Sequence, residues 1–325
     1  MEPTGNREEQ QYLDLLQHIL DNGTWEEGRN GRVKTVFGSM MRFSLADGRI
    51  PILTTKKTAW KTCLKELLWF IKGDMNNRIL KDQGVHIWDA NGSRDFLDSR
   101  GLNNYEVDEL GPVYGYQWRH FNMPFYCKND IKHIHNAYEE CYNNGTLTED
   151  LNPELIDDFD NLAKDGIDQL QQIIDALKDP KERFSRRLIM TAWNPCQLYQ
   201  MALPPCHILC QFNVHDGNKL SCAMYQRSND ESCGTPLNIA SYSFLTHLLA
   251  KHCGLVAHEF VYFKGNCHIY EDHVEGAKLQ LQRTPFAFPT VSIKQVRDDI
   301  NDYTVDDFVV ENYVSHDIIK MQMVA

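Results

Sequence analysis

The chain has 325 residues, 42% hydrophobic and 11% aromatic, which is enough to bury a large core and too apolar for a disordered chain. Its formal net charge of −12 excludes broad electrostatic adhesion to nucleic acid or to an anionic membrane, so any anionic ligand must be met by local arginines. No apolar run approaches the roughly 18 residues of a membrane helix, and Met1 to Gln11 is polar and acidic, unlike a secretory signal.

A soluble, cytoplasmic protein is expected, with the nucleus also open to it. The ten cysteines are scattered, form no CxxC pair and often sit in apolar segments, as Cys63, Cys210 and Cys222 do, which reads as reduced thiols. Cys196, Cys206, His207 and Cys210 lie close in sequence but lack the short chelating loop of a structural zinc site, and no metal is expected.

In chain order, Gln11 to Leu20 carries one apolar stripe (Tyr12, Leu15, Leu16, Ile19, Leu20) and predicts a helix closed by Gly23. Period-two segments at Arg32 to Leu45 and Pro51 to Thr55 bracket Asp47-Gly48 and predict a hairpin. A second helix is predicted over Ala59 to Ile71, with Glu66 inside it and Gly73 at its end. From about 122 to 165 the pattern dissolves into asparagine, aspartate and glutamate, which reads as an acidic surface insertion.

Further helices are predicted over Ile167 to Leu177 and Ile239 to His252. Strands are predicted at Arg187 to Trp193, His207 to His215, Leu220 to Arg227, Glu259 to Phe263 and Thr290 to Gln295. The mixture is not a regular βαβ alternation, so the expected class is α+β: one domain over 1–325, a mixed sheet packed with helices.

The segment from Met201 to Asp230 carries the most chemistry. A turn at Asp216 to Asn218 pairs its two strands antiparallel, and placing His215 opposite Lys219 sets Cys206 beside Ser228 and His207 beside Arg227. A cation favours the nucleophilic thiolate over a thiol of ordinary pKa about 8.5, and an arginine with a serine suits a phosphate.

A buried structural thiol beside an ion-paired arginine explains the same residues. Arg186-Arg187 is a second cationic point or a solvated pair. Asn238 is an N-cap candidate for the helix from Ile239, or an amide offering a donor and an acceptor to a uracil edge. His268 and Tyr270 alternate after Gly265 and face the same way if extended, either to bind sugar hydroxyls or to pack.

Five segments together resemble the thymidylate synthase family in content, order and spacing: Arg186 to Pro195, Met201 to His207, Tyr225 to Asp230, Pro236 to Tyr242 and Gly265 to Tyr270. The likeness extends through Glu66 to Phe70, Ile87 to Asn91 and Leu110 to Gly115, and covers nearly everything from Tyr12 to Ala325 outside the acidic insertion.

The resemblance implies a homodimer packed sheet to sheet, in which Arg186 and Arg187 are donated to the partner's nucleotide phosphate. It implies Arg227 and Ser228 as further phosphate ligands, Asn238 as pyrimidine reader, and His268 and Tyr270 as sugar ligands. Glu66, Trp88, Asn91 and Asp230 would position folate or its water network, with Asp230 also among the dUMP-binding residues. The implied reaction methylates dUMP with 5,10-methylenetetrahydrofolate: Cys206 adds to C6, and Tyr114 with waters held by Glu66 and His207 helps remove the C5 proton.

The chain departs from the family in places. The usual phosphate loop Arg-Thr-Gly-Thr-Gly-Thr is here Gly28-Arg-Asn-Gly-Arg-Val-Lys34, with Arg29 the substitute arginine and Arg32 second. Cys233 and Leu237 stand where leucine and phenylalanine are usual around the folate pocket. The ending Met321-Gln-Met-Val-Ala325 is close to the family's closing tail, which implies a folate contact at Ala325. A pyrimidine hydroxymethylase would share the fold and thiol, although Asn238 favours uracil over cytosine. A catalytically silent dimer that binds nucleotide or RNA is the rival of another class, and the intact Cys206, Glu66, Tyr114 and Asn238 count against it.

Overall fold

The computed structural model describes residues 5–28, 30–143 and 166–322. Its elements are α1 (Arg7–Asn22), β1 (Thr24–Gly28), β2 (Gly31–Ser44), α2 (Trp60–Ile71), α3 (Asn77–Lys81), α4 (Arg94–Ser99), α5 (Tyr114–His120), α6 (Lys128–Asn143), α7 (Gln169–Lys178), β3 (Ile189–Thr191), β4 (His207–His215), β5 (Lys219–Asp230), α8 (Gly234–His252), β6 (Val256–Tyr270), α9 (Val274–Leu281), β7 (Thr290–Ile293) and β8 (Phe308–Glu311). They fall into two compact units, the first within Met1–Leu68, Gln172–Met190 and Cys206–Ala325, the second within Trp69–Gln171 and Thr191–Pro205.

The first unit is organised by a six-stranded sheet in the order β1-β2-β6-β5-β4-β3. Strands β1/β2, β2/β6 and β4/β5 pair antiparallel while β5/β6 run parallel, so the sheet is mixed and the α+β expectation holds. A parallel pair needs a long crossover, and α8 supplies it, packing on β5 and β6. Its Ile239, Tyr242, Phe244, Leu245, Leu248 and Leu249 are all buried, as are Ser241, Ser243, Thr246 and His247 between them, so this helix is buried on every side rather than along one stripe. It ends where Gly254 turns at φ +69°, a conformation open to glycine.

Two expectations are corrected. The predicted hairpin about Asp47-Gly48 does not form: residues 46–48 make a 3-10 turn, and 51–55 are not a strand. The buried Glu9 of α1 takes the place of a strand partner, its carboxylate accepting from the N–H groups of Thr54 (2.9 and 3.0 Å) and Thr55 (2.8 Å) and from both threonine hydroxyls. Burial pushes the Glu9 carboxyl pKa up, and these bonds oppose that shift. The antiparallel neighbours of β2 are instead β1 and β6.

The second correction concerns α8, which begins at Gly234 rather than Ile239. Pro236 falls in its first turn, where a missing N–H costs nothing. The strand expected at Thr290 exists as β7, but it belongs to a separate two-stranded sheet with β8.

The opposite face of the large sheet is apolar and exposed. Met40, Phe263, Tyr225 and Leu209 stand in register across β2, β6, β5 and β4, and each is at least a third exposed; Phe37 is 84% exposed.

The second unit is held by an aromatic cluster. Phe70 lies 4.9 Å from Tyr114 and 5.6 Å from Trp118, and Trp88 lies 6.4 Å from Trp69 and 6.0 Å from Tyr114. Arg119 grips Asp168 through Nε at 3.0 and 2.9 Å. The acidic insertion contributes α6, and its residues 144–165 lie outside the described residues. Among the described residues no helix is long and apolar enough to cross a membrane. The nine cysteines whose side chains are described are free thiols.

Candidate active site

The β4/β5 hairpin turns at Asp216 and Gly217, both at positive φ (46° and 83°), which suits this Asp-Gly pair. His215 pairs with Lys219 as expected, and the register holds back to Leu209 opposite Tyr225. There a bulge intervenes, with Ile208 as the extra residue, and His207 faces Gln226 rather than Arg227. The Arg227 N–H donates to the Cys206 carbonyl at 2.9 Å. The expected pairing of Cys206 with Ser228 is therefore corrected to Cys206 with Arg227.

His207 is buried, with Nδ1 2.9 Å from the Tyr242 hydroxyl of α8. Burial pushes its pKa down to about 3, so the ring is neutral and brings no charge to the neighbouring thiol. The main chain of Arg227 sits directly across from that of Cys206.

The N-cap reading of Asn238 is excluded, since it lies inside α8 and the flanking cap residue is Cys233. Its Nδ2 donates to Gln226 Oε1 at 3.0 Å, and Gln226 Nε2 donates to the Ser228 carbonyl at 2.9 Å. The Tyr262 hydroxyl stands 2.7 Å from Gln226 Oε1 and 2.9 Å from Asn229 Oδ1, with one hydrogen to share. This network fixes the Asn238 amide with its Nδ2 turned toward Gln226 and Tyr262, so its oxygen is the atom offered to a ligand edge.

Ser228 and Asp230 of β5 stand in parallel register with Asn266 and His268 of β6. His268 Nδ1 is 2.8 Å from Asn266 Oδ1, its ring meets Tyr270 edge-on at 5.3 Å, and burial lowers its pKa. Asp230 Oδ1 accepts from the N–H groups of Ser232 (2.9 Å) and Cys233 (3.1 Å).

Behind these strands Lys264 and Glu231 form a fully buried ion pair at 2.5 Å. Sequence reading missed this pair, together with Gln226 and Tyr242. Gln226 stands in the quoted Tyr225-to-Asp230 segment and Tyr242 closes the Pro236 segment, so motif membership was the available signal.

Among the other expected residues, Glu66 is half-buried on α2. Arg186 and Arg187 precede β3, are exposed, and form no ion pair with the described residues. Arg29 and Ala325 lie outside the described residues. Arg32, the second choice for the phosphate role, is engaged with Glu271 at 2.8 Å and lies 4.6 Å above the Trp25 ring.

In the second unit Trp88 and Tyr114 belong to the aromatic cluster. Asn91 is buried, and its Nδ2 has no hydrogen-bond partner, leaving a donor for a ligand acceptor. No metal-ligand cluster forms around Cys196, Cys206, His207 and Cys210 among the described residues.

The chain is a mixed-sheet α+β protein in which Cys206 and Arg227 are paired through the main chain across a bulged hairpin and the Asn238 amide is fixed by Gln226. Residues 10–325 match the model of the family described as thymidylate synthase, and the chain belongs to that family. It is 45% identical over 323 residues to the thymidylate synthase of Homo sapiens, covering 99% of this chain and 92% of that protein.

It is also 45% identical over 322 residues to the bifunctional dihydrofolate reductase-thymidylate synthase of Leishmania major, covering 98% of this chain and 55% of that protein. To the probable thymidylate synthase of Schizosaccharomyces pombe it is 46% identical over 329 residues, covering 98% of this chain and 48% of that protein. The chain thus spans about half the length of these last two relatives.

Proposed function

We propose that the chain catalyses reductive methylation of dUMP to dTMP with 5,10-methylenetetrahydrofolate, leaving dihydrofolate. The observation that carries this reading is the pairing of Cys206 with Arg227 across the bulged hairpin, in a chain of this family. Cys206 adds through sulfur to C6 of the pyrimidine, which places carbanion character at C5 and splits one hard substitution into easier steps. Arg227 favours the thiolate and, with Ser228, holds phosphate. The Asn238 amide, fixed by Gln226, reads the pyrimidine edge, while His268 and Tyr270 take the sugar and Asp230 serves both ligands.

Glu66 and neutral His207 hold the waters that, with Tyr114, take the C5 proton. Trp88 and Asn91 hold folate, and the unpartnered Asn91 Nδ2 fits an acceptor on it. Folate supplies the one-carbon unit and the hydride. Arg29 takes the remaining phosphate role and Ala325 a folate contact, both from the resemblance.

The proposed assembly is a homodimer closed over the exposed row Met40-Phe263-Tyr225-Leu209, a patch that favours burial. The exposed Arg186 and Arg187 would reach the partner's phosphate. Residues 1–325 are taken as one domain carrying the acidic insertion, acting in the cytoplasm or nucleus, where free thiols persist.

The test is purified protein with dUMP and methylenetetrahydrofolate, following dihydrofolate and the nucleotide product together. Formation of dTMP and dihydrofolate in equal amounts is expected. Hydroxymethyl-dUMP would replace this reading with a hydroxymethylase, and no turnover in an intact dimer would replace it with a silent binder.

A further inference from the structure

We propose that Asp230, Cys233 and His273 form a binding site for a thiophilic divalent cation, with zinc the best chemical fit. One ligand atom from each residue lies within 4.8 Å of the other two. The three converge from different elements: Asp230 ends β5, Cys233 flanks the start of α8, and His273 closes the turn before α9.

A tetrahedral zinc with ligands at about 2.0–2.3 Å holds them roughly 3.3–3.8 Å apart, so closing around an ion takes side-chain movements of about 1 Å. One thiolate, one imidazole and one carboxylate select zinc or cobalt over magnesium or calcium, and leave a fourth position open.

The state of His273 supports a ligand role. The residue is 1% exposed, and its Nδ1 is buried without a hydrogen-bond partner. Its Nε2 stands 2.8 Å from the Gln322 carbonyl. With Nε2–H donating there, Nδ1 keeps a lone pair, which is the form a metal-bound imidazole takes when its second nitrogen is anchored to a carbonyl.

The other two ligands are also held. The N–H groups of Ser232 and Cys233 fix Asp230 Oδ1 and leave Oδ2 to turn toward an ion. Cys233 Sγ lies 3.9 Å from the Met321 carbonyl, a contact too weak to compete with a metal–sulfur bond. The nearby Lys56 ammonium is committed to the Ser232 carbonyl. As the metal–sulfur bond forms, the Cys233 thiol gives its proton to solvent and no group changes oxidation state.

Cobalt(II) titrated into the full chain tests the site. We expect about one equivalent to bind with a near-ultraviolet thiolate-to-cobalt charge-transfer band that zinc displaces. Cys233→Ser should abolish that band, His273→Gln should weaken cobalt binding at least about tenfold, and Cys206→Ser should leave the band in place. Thermal unfolding checks that each variant is folded, and Cys233→Ser, a near-isosteric change at a half-buried position, decides the matter. A band that survives Cys233→Ser or disappears in Cys206→Ser overturns the site.

A consequence for turnover rests on the function proposed above: an ion that holds Asp230 withdraws it from dUMP and folate, so zinc should inhibit reversibly. A normal charge-transfer band without inhibition would leave the cation site standing and overturn only the role given to Asp230.

Discussion

The main-chain N–H of Arg227 donates to the carbonyl of Cys206 at 2.9 Å, so Arg227 of β5 and the thiol residue just before β4 are pinned as main-chain neighbours. The bulge at Ile208 produces this pairing. Without the extra residue Cys206 would face Ser228, and the guanidinium would stand opposite neutral His207. The pairing of the thiol residue with an arginine therefore depends on one inserted residue.

Cys206→Ser is expected to abolish turnover and to prevent a stable covalent complex with 5-fluoro-dUMP and the folate, since fluorine at C5 blocks the proton removal that releases the adduct. Mass spectrometry of the intact complex and its peptides is the check. A full-stoichiometry adduct on any other cysteine would refute the assignment of Cys206.

Much of this arrangement was legible in the sequence, because α1, α2 and the β4/β5 turn are written in local signals: an apolar stripe, a terminal glycine, an Asp-Gly pair. The bulge was not. Period-two alternation runs through His207 and Leu209 without a mark, and the slip shows only once strand partners are known. The false hairpin at Asp47-Gly48 has a similar cause: the threonines at 54 and 55 look like a strand, but their partner is the carboxylate of Glu9, distant in sequence. Lys264 and Glu231 likewise meet only through the parallel pairing of β5 with β6.

Arg187→Ala and Cys206→Ser chains, each inactive alone, should regain partial activity when mixed and allowed to exchange subunits. A mixed dimer would hold one site with a good thiol and a good donated arginine. Phe263→Asp, which alters an exposed residue at the centre of the apolar row, should yield folded monomers in sedimentation and lose turnover with the dimer. Exchange without rescue would remove the arginine donation from the scheme.

Lys264→Met should destabilise the chain by roughly 3–5 kcal/mol in urea unfolding, because it strands the Glu231 carboxylate in a fully buried place. Adding Glu231→Gln should recover part of that loss. A single variant as stable as the parent would show that water reaches the pair.

Acid should weaken the fold well above the range in which carboxylates titrate. Burial pushes His207 down to about 3 and His247 down to about 4, against an ordinary value near 6.5. Above pH 6.5 both imidazoles are neutral in folded and unfolded chains, and stability is full. As pH falls below 6.5 only the unfolded chain takes up protons, so stability drops by up to about 1.4 kcal/mol per pH unit for each ring until the folded value is reached. His247→Gln, whose amide can keep the bond to the Arg49 carbonyl, should lose less stability between pH 7 and pH 5 than the parent. Equal losses would mean that His247 is not held neutral.

Asn238→Asp is expected to relax discrimination against dCMP. Uracil offers N3–H and O4 where cytosine offers an N3 acceptor and an amine, and an amide serves the first pattern. In the structure the Asn238 Nδ2 donates to Gln226 Oε1, which also faces the Tyr262 hydroxyl, so that side of the residue must remain a donor. An ionised carboxyl there would confront an acceptor. A protonated one keeps the bond to Gln226 and turns its carbonyl oxygen toward the ligand, where a cytosine amine can donate. Each mismatch in a dry pocket costs on the order of 1–3 kcal/mol, or about ten- to a hundredfold in selectivity. The change should appear in the ratio of kcat/KM for dUMP and dCMP, and urea unfolding should separate it from any loss of stability. Because Asn238 is not a helix cap, capping cannot compensate or mimic the effect. A selectivity ratio that stays at the parent's value in a variant that still turns over dUMP would deny Asn238 the role of reading the base.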